Sequence, residues 1–243
     1  MGTIIQTDQL TRRFGGLVAV NQVSFHLQQG EVRGLIGPNG SGKTTFINLL
    51  TGVYEPTSGE IFFNEEKISG WNPNRIAARG LLRTFQVPRL FGSMDLLENM
   101  LIPRFAEFSL GYRREYAEAL EKAEALLEMA GLSHLKHALA KTLSGGQKAL
   151  LQIVRGFMVD NISVFLLDEP FAGVNMVVKE TIMNLIHQKA AEGVTFLLVS
   201  HEMASVRLMC PRVTVMAEGS IIAEGGMEEV AANEQVISAY LGG

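Results

Sequence analysis

The 243 residues can bury a sizeable core as one large domain or one domain with a subdomain, and 47% hydrophobic against 19% charged residues excludes a disordered chain. A formal charge of −4 gives no electrostatic reason to bind nucleic acid, and a lone cysteine, Cys210, excludes an internal disulfide framework and suits a reducing compartment. No apolar run approaches the roughly 20 residues that span a bilayer, and Met1 to Gln6 carries neither a signal-peptide pattern nor a myristoylation pattern.

Thr3 to Leu10 and Val18 to Leu27 alternate as strands, with turns at Gly15-Gly16 and Gln29-Gly30. Val32 to Ile36 is a short apolar strand that runs into Gly37-Pro38-Asn39-Gly40-Ser41-Gly42-Lys43-Thr44-Thr45, after which a helix is expected through Leu50. The spacing is that of the phosphate-cradling loop, G-x-x-x-x-G-K-[ST]. Its glycines let backbone N–H groups turn inward around phosphate oxygens, and the helix N-terminus adds a partial positive charge beneath them. Lys43 is then expected to reach the β and γ phosphates, and the Thr44 hydroxyl to ligate Mg²⁺. Glu55 to Gly59 is a turn and Glu60 to Phe63 another strand, so antiparallel hairpins on a mixed sheet are expected to flank the loop.

From about Pro73 to Lys141 the texture becomes helical, clearest over Tyr112 to Met129, where Tyr116, Leu120, Ala123, Leu127 and Ala130 recur near 3.6 spacing. Such a block reads as an inserted helical subdomain. Ser144-Gly145-Gly146 directly precedes a helix over Gln147 to Met158 and could form a second anion site; a plain helix cap with Ser144 as N-cap accounts for the same residues.

The α/β rhythm returns with a strand at Ile162 to Leu167, a helix at Val174 to Ala191 and a strand at Val194 to Val199. A short helix over Ala204 to Met209, a hairpin around Glu218-Gly219 and two short helices between Met227 and Leu241 complete the chain, and no repeat or linker interrupts it. Strands alternating with helices imply a mainly parallel sheet covered on both faces. The strand ending in Asp168-Glu169 puts two carboxylates at the edge where ligands bind in such sheets. Asp168 is suited to hold Mg²⁺ through water, and Glu169 to polarise a water as general base.

With Leu143-Ser144-Gly145-Gly146-Gln147 the chain resembles the ATP-binding-cassette (ABC) ATPases over its whole length: the phosphate loop, Gln86, this signature, the acidic strand and His201 stand in the family's order. The resemblance implies an ABC-type P-loop NTPase: a RecA-like mainly parallel core sheet and an antiparallel β subdomain over 1–85 and 160–243, with an inserted helical subdomain over about 86–159. It implies ATP and Mg²⁺ as ligands and a head-to-tail dimer in which Ser144, Gly145, Gly146 and Gln147 act on the nucleotide held by the other cassette. Gln86 resembles the lever glutamine that senses Mg²⁺ and water, His201 the switch histidine at the γ-phosphate, and Phe14 the aromatic that stacks on adenine. Ala172 to Asn175 resembles the loop crossing the dimer seam, with Met176 where proline or aspartate is common, and the residues of Lys148 to Met158, Arg155 included, depart from the family's wording and receive no role.

Phe14 to Val20, Arg83-Thr84-Phe85-Gln86, Arg89-Leu90-Phe91, Ile222 to Gly225 and Ala239 to Gly243 further resemble the ATPases of high-affinity branched-chain amino acid importers, although Ser200 replaces the glutamate often found before the histidine. That implies the motor subunit of an importer on the cytoplasmic face of the cell membrane, held there by permease subunits. A second cassette of the same or another chain and, indirectly, a solute-binding protein are the other implied partners. Urea or amide uptake, an exporter or lipid-handling complex, a non-transport ABC ATPase and a nucleotide-binding regulator are the rival readings.

Overall fold

A computed structural model describes residues 2–107 and 112–241; Met1 and the closing Gly242-Gly243 lie outside the described residues. The first two strands, β1 (Thr3–Phe14) and β2 (Leu17–Gln28), pair antiparallel about the Gly15-Gly16 turn. They continue through β4 (Ser58–Phe63) and β5 (Glu66–Lys67) into a four-stranded sheet of order β2-β1-β4-β5. The strand before the phosphate loop, β3 (Val32–Ile36), belongs to a different sheet with β6 (Leu81–Arg83), β7 (Val164–Asp168), β8 (Thr195–Val199), β9 (Arg212–Ala217) and β10 (Ser220–Gly225). The order there is β10-β9-β3-β8-β7-β6, parallel except for β10.

The two sheets are the mainly parallel core sheet and the antiparallel β subdomain that the resemblance implies. The phosphate-loop helix α1 (Lys43–Leu50) separates the two sheets and buries Phe46, Ile47, Leu49 and Leu50 in the core between them. Alternation along a strand reports which face is buried, and it does not say which sheet the strand joins.

Period-2 geometry divides the core cleanly. Leu35, Leu166 and Leu197 face α1 and the antiparallel sheet, while Ile36, Leu167 and Leu198 face the helices on the other side. Short helix α2 (Pro73–Ala78), capped by Asn72 Oδ1 accepting from Arg75 N at 2.9 Å, starts where the helical texture was expected to begin and leads into β6, a strand not expected from the sequence. The helical block begins with α3 (Leu96–Leu101), opened by an Asp95–Glu98 capping box, and α4 (Tyr112–Met129), which buries Ala119, Ala123, Leu126 and Leu127. It closes with α5 (Gly145–Gly156). Then α6 (Met176–Ala191), capped by Asn175, and α7 (Met203–Met209) cover the sheet, and α8 (Met227–Ala231) and α9 (Glu234–Leu241) pack beside β10.

One buried charge sits in the middle of the six-stranded sheet. Arg33 is 1% exposed, with Nε on Glu31 Oε1 at 2.6 Å and Nη1 on Thr214 Oγ1 at 3.0 Å and Glu224 Oε1 at 3.4 Å. It ties β3 to β9 and β10 by side chains as well as by backbone pairing. Cys210 is buried and its thiol is pushed up to about 12 by that burial, which makes it an inert core group.

Candidate active site

At the C-terminal end of β3 the chain must turn where side chains do not fit. A Cβ at Gly37 would lie 2.1 Å from Met216 O, and at Gly42, where φ is +100°, 2.4 Å from Ala19 O. Only glycine allows those approaches, so Gly37 and Gly42 fix the curl of the loop. Lys43 opens α1 and folds back over it: Nζ donates to Gly37 O at 2.8 Å, Pro38 O at 2.9 Å and Ser41 Oγ at 3.3 Å. Burial lowers the Lys43 pKa, while the nearby carboxylates of Glu169 and Asp168 act in the opposite direction.

Two strands away, β7 is buried throughout and delivers Asp168, whose N–H donates to Thr84 Oγ1 at 3.0 Å. Asp168 Oδ2 lies 3.3 Å from Arg83 Nη2, and that guanidinium also donates to Asn48 Oδ1 of α1 and to Thr51 Oγ1 just past its end. Burial pushes the Asp168 carboxyl up against the opposing pull of Arg83, and burial likewise lowers Arg83. Desolvation therefore outweighs the attraction for both members of this pair. Sequence reasoning gave Arg83 no role; the signal was a charged residue inside a short apolar segment beside Gln86.

Glu169 has a left-handed backbone (φ +52°) pinned by its N–H on Val199 O at 2.8 Å. Its carboxylate is held from the end of β8. Oε1 lies 2.9 Å from His201 Nδ1, and Oε2 accepts from Ser200 Oγ at 3.3 Å and His201 N at 3.4 Å. Ser200 is fully buried and Glu202 N donates to its hydroxyl at 3.1 Å, which aims the hydroxyl proton at Glu169. Ser200→Ala is expected to lower kcat about tenfold, the worth of a longish hydrogen bond to a charged group, with ATP affinity unchanged. Equal kcat values for variant and parent would remove Ser200 from the arrangement.

These loops meet in a cavity of about 510 Å³ lined by Lys43, Thr44, Thr45, Gln86, Asp168 and Glu169, with Leu17, Val18 and Ala19 as its apolar wall. The volume suits a nucleotide. The oxygen donors Thr44 hydroxyl, Gln86 amide and Asp168 carboxylate share that cavity and form the hard set that Mg²⁺ prefers. Asn39 to Gly42 form its rim, and Pro38 faces a neighbouring groove.

Other candidates lie outside this cavity. Phe14 is edge-on to Tyr54, with ring centroids 5.2 Å apart, and carries the Arg12 guanidinium 4.6 Å above its ring. Gly145 shares a second cavity, of about 250 Å³, with Gln86, Asp168 and Glu169. Ser144 and Gln147 make a capping box, Gln147 N on Ser144 Oγ at 3.3 Å and Ser144 N on Gln147 Oε1 at 2.9 Å, so the cap is real whatever else the motif does.

Comparison with known proteins agrees with this geometry. The sequence profile of the ABC transporter family matches residues 20–172, and one described as branched-chain amino acid ATP-binding cassette transporter matches residues 220–243. The chain is 39% identical, over 98% of its length and 95% of the relative, to the probable branched-chain amino acid transport ATP-binding protein LivG of Archaeoglobus fulgidus. It is 38% identical to the high-affinity branched-chain amino acid transport ATP-binding protein BraF of Pseudomonas aeruginosa, covering 98% of each chain. A crystal structure of the ADP conformation of an ATP-binding cassette of an ABC transporter superposes over 100% of both chains, with a TM-score of 0.87 at 34% identity. With a phosphate loop, an acidic strand end and a signature helix arranged as described, and matches of this extent, the chain belongs to the ABC transporter family as one of its ATP-binding cassette ATPases.

Proposed function

We propose that the chain is the ATP-hydrolysing motor of an importer for branched-chain or related amino acids, acting as one half of a head-to-tail pair of cassettes docked on a separate membrane permease. The observation that carries this is the convergence of Lys43, Thr44, Gln86, Asp168 and Glu169 on one cavity, with His201 on the Glu169 carboxylate. The solute class is supported by the names of relatives matching 98% of the chain and by the match at 220–243. Among the described residues no helix is long and apolar enough to cross a membrane, so in this reading the permease provides the attachment.

In this mechanism backbone N–H groups between Asn39 and Thr45 and the Lys43 ammonium bind the β and γ phosphates. Thr44, Gln86 and Asp168 would hold Mg²⁺, which when bound neutralises charge on the phosphate oxygens. Glu169 accepts the proton of the attacking water, and His201 and Ser200 keep its carboxylate aimed. Ser144, Gly145, Gly146 and Gln147 complete the site of the opposite cassette, beside the seam that Ala172 to Asn175 approach. Leu17 to Ala19 wall the cavity, and Phe14 reaches the adenine by releasing its edge contact with Tyr54.

The reading is tested by light scattering of Glu169→Gln with and without ATP and Mg²⁺ at low salt. A doubling of mass with ATP supports the sandwich within this chain; a monomer with ATP bound assigns the second half to another cassette, and a chain that binds no ATP overturns the reading. Lys43→Ala is expected to weaken ATP binding about tenfold to a hundredfold, the worth of charge-assisted bonds to phosphate, by fluorescence titration. Leucine uptake by cells lacking the chain, restored by the parent and not by Lys43→Ala, tests the solute class; uptake that ignores the deletion refutes it.

A further inference from the structure

The segment that carries Gln86 is not built like the other active-site loops. Among the described residues, no backbone–backbone hydrogen bond involves residues 85–90. Its backbone is held instead by two side chains of α5, the helix that the Ser144–Gln147 motif opens. Gln152, only 8% exposed, donates through Nε2 to Phe85 O at 2.9 Å, and its Oε1 accepts from Arg89 N at 3.1 Å and Phe85 N at 3.4 Å. Three residues on, and so on the same helix face, Arg155 Nη2 donates to Arg89 O at 2.7 Å. Both the N–H and the C=O of Phe85 and of Arg89 are thereby satisfied from α5, and these two residues bracket Gln86. Two guanidiniums lie against the Phe85 ring, Arg83 at 4.7 Å and Arg89 at 4.0 Å from its centroid, which keeps this short arch in contact with the partner of Asp168.

We infer that Gln152, assisted by Arg155, is the positioning residue through which α5 sets the place of Gln86 in the nucleotide cavity. A helix moves as a rod. Gln152 stands about 12 Å along α5 from the Ser144 cap, so a tilt of the motif end is delivered to the Phe85 and Arg89 backbone through side-chain bonds with no slack. The inference rests on the proposed role of Gln86 as the residue that meets metal and water. It adds that the signature helix addresses that residue within its own chain, by a polar contact that neither the phosphate loop nor the acidic strand supplies. Displacing a positioned group by about 1 Å can cost a hundredfold in rate, so small movements of α5 suffice.

The test uses Gln152→Met, of similar size without the amide, and Gln152→Glu, which keeps the two acceptor bonds and loses the donor to Phe85 O. Amide hydrogen exchange is read at Phe85 and Arg89, together with kcat, ATP affinity, the Mg²⁺ concentration for half-maximal turnover and the thermal midpoint. Gln152→Met is expected to exchange at least tenfold faster at both amides and to lower kcat about tenfold to a hundredfold. Its Mg²⁺ half-saturation should rise severalfold, with ATP affinity and thermal midpoint close to the parent's. Gln152→Glu is expected to keep the protection of both amides and lose less of the rate. Unchanged exchange and kcat in Gln152→Met would overturn the inference. So would a loss of rate matched by equal losses of ATP affinity and thermal midpoint, which marks a merely structural residue. Gln86→Ala separates the two layers: if it leaves kcat and Mg²⁺ dependence untouched, the reading of Gln86 fails while the exchange result still decides whether α5 holds the arch.

Discussion

Glu169→Gln is expected to bind ATP like the parent and to lose turnover by about a hundredfold to ten-thousandfold, the range a positioned general base contributes. The change is nearly isosteric, and the Glu169 N–H bond to Val199 O does not depend on the side chain. The carboxylate, by contrast, is surrounded by donors: the Ser200 hydroxyl, the His201 N–H and His201 Nδ1. An amide keeps one acceptor for them and offers no basic lone pair to a water. Lys43, Thr44 and the loop amides, which bind the phosphates in the proposed mechanism, are untouched, so the effect belongs in kcat. Phosphate release under saturating ATP, with binding measured in parallel, checks it. Release within about threefold of the parent would assign the proton transfer elsewhere.

The second large effect concerns stability. Arg33→Ala is expected to destabilise the fold by about 3 kcal/mol, the lower end of what breaking a buried ion pair costs. The side chain is fully buried with Glu31 and Glu224 on its guanidinium, and its removal leaves those carboxylates facing a void and each other. The estimate stays at the lower end because the Glu224 side chain is 33% exposed and can regain water. Arg33→Met fills the void but leaves the same two carboxylates, so it is expected to recover only the packing part. Urea midpoints for the two variants give the comparison. A loss under 1 kcal/mol for Arg33→Ala would show that the pair contributes little beyond what water returns.

The phosphate loop and the acidic strand were legible because each is a local unit whose chemistry demands particular residues in order: strand, glycine turn, lysine, helix; or buried strand, then carboxylates. The two-sided burial of β7 and β8 was equally legible, since Val164 to Leu167 and Phe196 to Val199 are apolar throughout. What escaped was set by distant partners. Three-residue β6 has no periodicity of its own and exists because Leu81 to Arg83 pair with Val164 to Leu166. Gln152 was passed over as part of an unfamiliar stretch. A signal was nonetheless present, because a glutamine between Leu150, Leu151, Ile153 and Val154, all buried, must find polar partners. Phe14 was read for its ring alone, and the structure occupies that ring with Arg12 and Tyr54.

The order of the six-stranded sheet has a consequence for synthesis on the ribosome. The strand that delivers the phosphate loop lies between β8 and β9, whose residues follow about 160 positions later in the chain. At translation rates of about 5–20 residues per second, Val32 to Ile36 wait roughly 10–30 seconds with both edges unpaired, while β1 and β2 can already close on each other. The helical block is made during that interval, and in the finished fold its apolar residues share one core with β3, β7 and β8. A strand held open that long offers two unpaired edges to non-native partners, and slowing translation downstream of α5 is expected to increase aggregation through β3.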